Sequence, residues 1–235
     1  MKVFAISDLH LSNTVEKPMD IFGKSWENYI EKITQDWQEK VSDDDIVLLP
    51  GDLSWAMRMD EVIEDFNFVA SLKGKKVLLR GNHDYWWNTI SQVRNALPEN
   101  MYALQNDVLR FGKLLLCGTR GWVCPDVVNK LSEQDQKIYL REVQRMQLSI
   151  EAMNKQRQPD DVVIAMMHYP PFNARYDQSD FTTQFVKHNI PQVVYGHLHG
   201  KDCRAQLYLK KFGIEFFLTS CDLADNKLTL IKEIE

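Results

Sequence analysis

Residues 3–10 read VFAISDLH, an apolar run that ends in an aspartate and a histidine two positions apart. A short apolar run that ends in a polar turn is typical of a strand buried on both faces of a sheet. Runs of this kind predict strands at residues 3–6, 46–49, 77–79, 114–117, 162–167 and 193–195.

The segments between these runs predict helices. Apolar residues recur at three- and four-residue spacing in 59–70 and again in 139–153, the pattern of helices packed on one face. Strands that alternate with helices indicate βαβ units and a largely parallel sheet. Residues 204–209, 213–219 and 228–234 are separated only by turns and predict antiparallel strands. The combination predicts an α/β sandwich of two packed sheets with helices outside, in one domain over residues 1–235.

The composition restricts the class of protein. Of the 235 residues, 44% are hydrophobic and 26% are charged, which supplies a core and argues against disorder. A net charge of -5 argues against nucleic acid as the partner and favours a small phosphate compound. The N-terminus is unlike a signal peptide and the chain has no apolar stretch of about 18 residues, so we expect a cytoplasmic protein without membrane contact. The four cysteines form no C-x-x-C pair and are expected to be reduced, mostly buried thiols.

Polar side chains follow five of the predicted strands, where ligands bind in open α/β folds. Five of the six histidines lie there, and that shared location favours metal ligation over separate structural roles. Each D-x-H or H-x-H pair places both side chains on one side of its strand end. The oxygen and nitrogen donors exceed the needs of one tetrahedral ion and suit two ions that share a carboxylate. Since no thiolate is among them, Mn, Fe or Zn is favoured. The donors are Asp8, His10, Asp52, Asn82, His168, His197 and His199.

In chain order, the motifs D-x-H, G-D, G-N-H-D, a lone H and G-H-x-H resemble the calcineurin-like metallophosphoesterase superfamily, and most closely a bacterial subgroup of small predicted phosphohydrolases. The resemblance implies a four-layer αββα sandwich. It implies that Asp8, His10 and His199 hold one divalent ion, that Asn82, His168 and His197 hold the other, and that Asp52 bridges them. It also implies that His83 faces the substrate and protonates or stabilises the leaving oxygen, with a supporting role behind the ligands as the alternative.

Two such ions would clamp a phosphate while a bridging hydroxide attacks phosphorus directly. Around them, other side chains are open to two interpretations. Asp84 either orients a ligand histidine or caps the following helix. Trp86, like Trp55, Trp87 and Trp122, either stacks on a nucleobase or fills the core. Arg120 and Arg175 either bind a phosphate in a bidentate manner or are ordinary surface arginines.

The leading functional prediction is hydrolysis of a small phosphomonoester or phosphodiester, nucleotide-like esters included. Protein Ser/Thr phosphatases of this superfamily carry G-D-x-x-D-R-G, whereas residues 51–57 here read GDLSWAM and lack the second aspartate and the arginine. The alternatives are a nuclease or protein phosphatase with the same site, and a catalytically idle, metal-stabilised binding module. The presence of His83 speaks against the idle module.

Overall fold

The computed structural model describes residues 1–126, 128, 130–200 and 202–235. Among these residues, the first sheet has five strands in the order β11-β1-β2-β3-β4. β1 to β4 run parallel to one another, and β11 pairs antiparallel with the outer edge of β1. The strands are β1 (Lys2–Ala5), β2 (Ile46–Leu49), β3 (Lys75–Leu79), β4 (Met101–Leu104) and β11 (Thr229–Glu233).

The second sheet has six strands among the described residues, in the order β5-β6-β7-β8-β10-β9. Its four central strands are parallel, and β5 and β9 are antiparallel edge strands. The strands are β5 (Val108–Phe111), β6 (Leu114–Thr119), β7 (Val162–Met167), β8 (Gln192–Tyr195), β9 (Tyr208–Lys211) and β10 (Ile214–Leu218).

Helices cover the outer face of each sheet. The first sheet packs against α1 (Tyr29–Lys40), α2 (Met59–Ser71) and α3 (Ile90–Ala96), and the second against α4 (Glu133–Asn154) and α5 (Asp180–Lys187). Two short 3-10 helices, Asp20–Phe22 and Lys24–Trp26, precede α1. In the part of the chain that the structure describes, no helix has both the length and the apolar character needed to cross a bilayer.

Three apolar clusters define the layers. Along β2, Val47 and Leu49 belong to the cluster under α1 to α3, whereas Ile46 and Leu48 belong to the cluster between the sheets. This alternation arises because successive strand side chains point to opposite faces. A third cluster lies between the second sheet and its two helices. The order helix, sheet, sheet, helix confirms the predicted αββα sandwich.

The C-terminal strands differ from the expected run of consecutive antiparallel strands. β9 and β10 do form an antiparallel hairpin, but β10 pairs parallel with β8 on its other side. β11 leaves this sheet and pairs with β1 in the other one. Its Ile231 packs into the cluster between the sheets while Leu230 is exposed, so β11 has one apolar face and suits a sheet edge.

Candidate active site

The polar residues that follow the parallel strands of both sheets meet in one place. Asp8 follows β1 and Asp52 follows β2 in the first sheet, while His168 follows β7 in the second. The loops after β1 and β2 are tied together, because Asp8 N donates to the Gly51 carbonyl and His10 N donates to the Asp52 carbonyl, each at 3.0 Å. His168 Nε2 lies 3.5 Å from Asp52 Oδ2, so the two sheets contribute to one site.

Four residues at this site have a left-handed backbone. Their φ angles are 60° for Asp8, 46° for His10, 52° for Asp52 and 73° for His197. This left-handed conformation costs a non-glycine residue about 1–3 kcal/mol, so it is kept only where surrounding contacts enforce it. Such residues concentrate at ligand-binding and catalytic positions.

A first donor group combines Asp8, His10, Asp52 and His199, whose ligand atoms all lie within 4.8 Å of one another. The Nε2 atom of His199 lies 3.2 Å from Asp8 Oδ1 and 3.4 Å from His10 Nε2. The Nε2 atom of His10 lies 4.0 Å from Asp52 Oδ2.

A second donor group also adjoins Asp52. The Oδ1 atom of Asn82 is 2.7 Å from His168 Nε2 and 2.8 Å from His197 Nδ1. The two histidine nitrogens are 3.3 Å apart, and His168 Nε2 is 3.5 Å from Asp52 Oδ2. One carboxylate oxygen of Asp52 therefore lies next to both donor groups.

The arrangement of lone pairs fits cations. The Nδ1 of His168 lies 3.0 Å from the Pro50 carbonyl and can only donate to it, so Nε2 presents a lone pair to the oxygen of Asn82. His199 differs, because its Nδ1 pairs with Asp222 Oδ1 at 3.0 Å and its Nε2 lies 3.2 Å from Asp8 Oδ1, so both of its ring nitrogens face a carboxylate. Acceptors that face one another in this way repel unless a positive charge lies between them, and neutral imidazole with carboxylate suits Mn, Fe or Zn.

The pKa values reflect the same crowding. Burial lowers the pKa of His10 and of His197 to about 3, so both rings are neutral and keep the lone pairs that metal binding requires. Burial and the charge of Asp8 raise the pKa of Asp52 to about 7. Burial opposes the charged form of His199, but its hydrogen bonds to Asp222 and Asp8 outweigh this and raise its pKa to about 10. A bound cation would replace that proton and would offset the repulsion between the two aspartates.

Hydroxyl groups and two glycines hold the aspartates in place. The Oδ2 atom of Asp8 accepts hydrogen bonds from Ser7 Oγ at 2.5 Å and from Ser220 Oγ at 2.9 Å. A Cβ atom at Gly196 would collide with Asp8 Oδ2, and one at Gly81 would collide with Asp52 N and Oδ1. Both positions therefore require glycine for close approach.

Asp84 has neither of the two roles considered for it from the sequence. It accepts backbone N–H groups from both neighbouring loops, at 3.0 Å from Asp52 and 2.7 Å from Gly81. It also accepts from Leu53 at 2.9 Å and from Trp86 Nε1 at 3.2 Å. None of these partners is a ligand histidine, and the cap of α3 is Thr89. Asp84 therefore binds the Asp52 loop to the Asn82 loop, which the sequence could not indicate because the loops meet only in the folded chain.

His83 lies at the edge of the first donor group. Its backbone N donates to Asp52 Oδ1 at 2.7 Å. Its half-buried ring lies 5.6 Å from the ring of His10 and 4.6 Å from that of Trp55, measured between centroids. Burial and the neighbouring His168 lower the pKa of His83. Trp55 also stacks on His10, with centroids 4.7 Å apart, and Lys17 Nζ lies 4.5 Å above the Trp55 ring.

The remaining predicted substrate residues are placed differently from one another. Trp86 is fully buried, so it cannot stack on a nucleobase, and its role is in the core. Arg175 is already paired with Asp126 at 2.9 Å and with Asp177 at 3.0 Å. The Arg120 guanidinium lies 4.9 Å from the ring centre of Trp122.

Asp222 is a site residue that the sequence reasoning missed. It follows β10 and holds His199 and the Gly200 N–H, the latter at 2.8 Å. The criterion used for the other strands, a carboxylate just after an apolar run, would have found it. The sequence predicts β10 as an antiparallel strand, whereas β10 also pairs parallel with β8, so its carboxyl end lies among those that form the site.

The comparisons with known proteins agree with this geometry. A model of the family described as calcineurin-like phosphoesterase matches residues 1–201. The phosphopantetheinyl hydrolase of Mycobacterium tuberculosis shares the fold at 16% identity, with a TM-score of 0.59 over 99% of this chain and 96% of that one. A protein of unknown function from Aquifex aeolicus shares the fold at 14% identity, with a TM-score of 0.52 over 97% of this chain and 95% of that one. The protein TT1561 of Thermus thermophilus also shares it at 14% identity, with a TM-score of 0.53 over 98% of this chain and 97% of that one. No curated protein matches the chain. The family match covers most of the sequence, and the chain therefore belongs to the calcineurin-like phosphoesterases, which makes it a phosphate-ester hydrolase.

Proposed function

We propose that the two donor groups hold two divalent cations, of Mn, Fe or Zn, and that the protein hydrolyses a small phosphate monoester or diester. Asp8, His10 and His199 would hold one ion, Asn82, His168 and His197 the other, and Asp52 both. The observation that carries the proposal is the position of Asp52 Oδ2, 4.0 Å from His10 Nε2 and 3.5 Å from His168 Nε2.

When bound, such a pair of cations supplies Lewis acidity, which polarises phosphoryl oxygens and lowers the pKa of water. The chain's own residues orient the reacting groups. Asp84 fixes the loops that carry Asp52 and Asn82, and Asp222 fixes His199. In this proposal the ring of His83 protonates the leaving oxygen of the ester as a general acid, and the burial that lowers its pKa makes the protonated ring a stronger acid.

The test compares Asp52→Asn with Asp161→Asn. Asp161 also has a buried carboxylate, which pairs with Arg110 at 2.7 Å. It directly precedes β7, whereas the ligand His168 follows that strand, so Asp161 lies at the opposite end of β7 from the site. Activity on 4-nitrophenyl phosphate and on bis(4-nitrophenyl) phosphate is measured with Mn²⁺, together with bound metal per chain. Asp52→Asn should weaken both ions and abolish turnover of both esters, while Asp161→Asn should retain both.

The outcomes separate the alternatives. The ratio of monoester to diester turnover assigns the ester class. Full activity and full metal content in Asp52→Asn would contradict the shared-ligand assignment. No turnover of either ester with Mn²⁺, Fe²⁺ or Zn²⁺ would favour the idle binding module.

A further inference from the structure

A large cavity adjoins the second donor group. Its volume is about 630 Å³, and His197 and Tyr169 form part of its wall. The rest of the wall comes from segments that follow β6, β7 and β8. Cavities of roughly 300–1,000 Å³ are the size that encloses most of a drug-sized ligand. The cavity is therefore large enough for the alcohol part of an ester whose phosphate lies at the proposed cation sites.

The wall of this cavity is mainly apolar. Leu131, Pro170, Phe172, Leu198 and Ala205 all contribute to it. Cys124 also lines it, and burial raises the pKa of this thiol to about 12, so it stays neutral. An apolar wall of this kind binds a ligand by removing apolar surface from water.

The carboxylates in the wall are already partnered by the protein. Asp126 pairs with Arg175 at 2.9 Å. Asp135 accepts from Trp122 Nε1 at 3.1 Å and from Ser132 Oγ at 2.6 Å. A pocket that recognises a nucleobase directs polar groups at the edge of the base, whereas these two are engaged elsewhere. Lys130 and Arg204 also belong to the wall, but both residues are exposed.

We propose that this cavity receives an alkyl or acyl chain, so that the substrate is a phosphate ester of an amphipathic alcohol. The inference rests on the proposed function, because His197 belongs both to the cavity wall and to the donor group that would bind the phosphate. A substrate in this orientation keeps its charged phosphate at the cations and its apolar chain in the cavity.

The experiment measures the Kd of butylphosphonate and of octylphosphonate by calorimetry on the Mn²⁺-loaded protein. Each fully buried methylene strengthens binding by about fourfold, so four additional methylenes give an upper limit of about 200-fold. We expect octylphosphonate to bind at least tenfold more tightly than butylphosphonate.

Two variants narrow the cavity, and one matched variant leaves it unchanged. Ala205→Phe inserts a ring from a half-buried wall position, and Ala174→Trp does so from an exposed wall position that is tolerant of substitution. Ala152→Phe is the control, because Ala152 is half-buried in α4 and is not part of the wall. Circular dichroism checks that each variant folds. The gain is the ratio of the Kd of butylphosphonate to the Kd of octylphosphonate. The two wall variants should reduce this ratio at least fourfold, and the control should keep the wild-type ratio.

A gain below tenfold in the wild-type protein, or wall variants that fold and reduce it less than fourfold, would overturn the inference. Hydrolysis of 4-nitrophenyl phosphate or of bis(4-nitrophenyl) phosphate, measured on the same wild-type sample, separates this failure from that of the proposed function. Hydrolysis without the gain refutes the cavity assignment alone, whereas the gain without hydrolysis refutes the proposed activity alone.

Discussion

The substitution Asp84→Asn removes the negative charge that joins the two ligand-bearing loops. In the wild-type protein, Oδ2 of Asp84 accepts from Asp52 N and Gly81 N, while Oδ1 accepts from Leu53 N, Ser54 N and Trp86 Nε1. The amide NH₂ of asparagine donates and cannot accept. Whichever oxygen it replaces, at least two buried N–H donors lose their partner.

The magnitude follows from this count. A hydrogen bond to a charged acceptor contributes about 1.5–3 kcal/mol, so the loss of two such bonds should lower the free energy of unfolding by about 3–6 kcal/mol. The Asp52 loop also loses its attachment, and bound Mn²⁺ should decrease. Urea unfolding followed by circular dichroism gives the first quantity, and elemental analysis gives the second.

Asp60→Asn is the matched control, because Asp60 is exposed and its carboxylate pairs with the exposed Arg58. It should leave both quantities near their wild-type values. An Asp84→Asn protein whose unfolding free energy lies within about 1 kcal/mol of the wild-type value, roughly one hydrogen bond, would show that Asp84 does not hold the two loops together.

Three further predictions follow from single contacts. Asp222→Asn leaves one acceptor oxygen for two donors, His199 Nδ1 and Gly200 N. The Mn²⁺ affinity measured by calorimetry should therefore fall about 10–100-fold, and an unchanged Kd would contradict the role of Asp222 in orienting His199. His83→Ala should keep its metal content but lower kcat by about 10²–10⁴-fold on phenyl phosphate and by less on 4-nitrophenyl phosphate, and equal losses would exclude an acid role. Lys76 is buried, and burial lowers its pKa from 10.5 to about 8. Between pH 8 and 10.5 the unfolded chain therefore binds more protons than the folded chain, so the contribution of Lys76 to the free energy of unfolding rises with pH in this range. From pH 7.5 to 10, the unfolding free energy of the wild-type protein should gain about 2 kcal/mol relative to Lys76→Met, and a constant difference in urea unfolding would count against it.

The layers of the fold were predictable because its central strands are continuous apolar runs. Residues 46–49 and 162–167 were predicted with the bounds that β2 and β7 have, since both faces of these strands are covered. β5 was missed, because VLRF is half-buried throughout and carries an arginine at the sheet edge. β11 was predicted as a strand but placed wrongly, because its partner β1 lies at the other end of the chain.

The location of the site was predictable for a similar reason. The carboxyl ends of parallel strands meet at one edge, so Asp8, Asp52 and His168 were expected to converge. The contacts of Asp84 were not predictable, because they join two loops through backbone N–H groups that carry no sequence signal, whereas Asp222 could have been found from its place after the apolar run of β10. The burial of Trp86 was also undetermined, since an aromatic residue beside a ligand can point either into the site or into the core.

The proposed function depends on two cation sites that share Asp52. Anomalous X-ray scattering from crystals grown with Mn²⁺ would locate both sites. We predict two peaks roughly 3.5–4 Å apart, one beside Asp8, His10 and His199 and one beside Asn82, His168 and His197, with Asp52 in contact with both. A single peak, or two peaks of which only one contacts Asp52, would contradict the account.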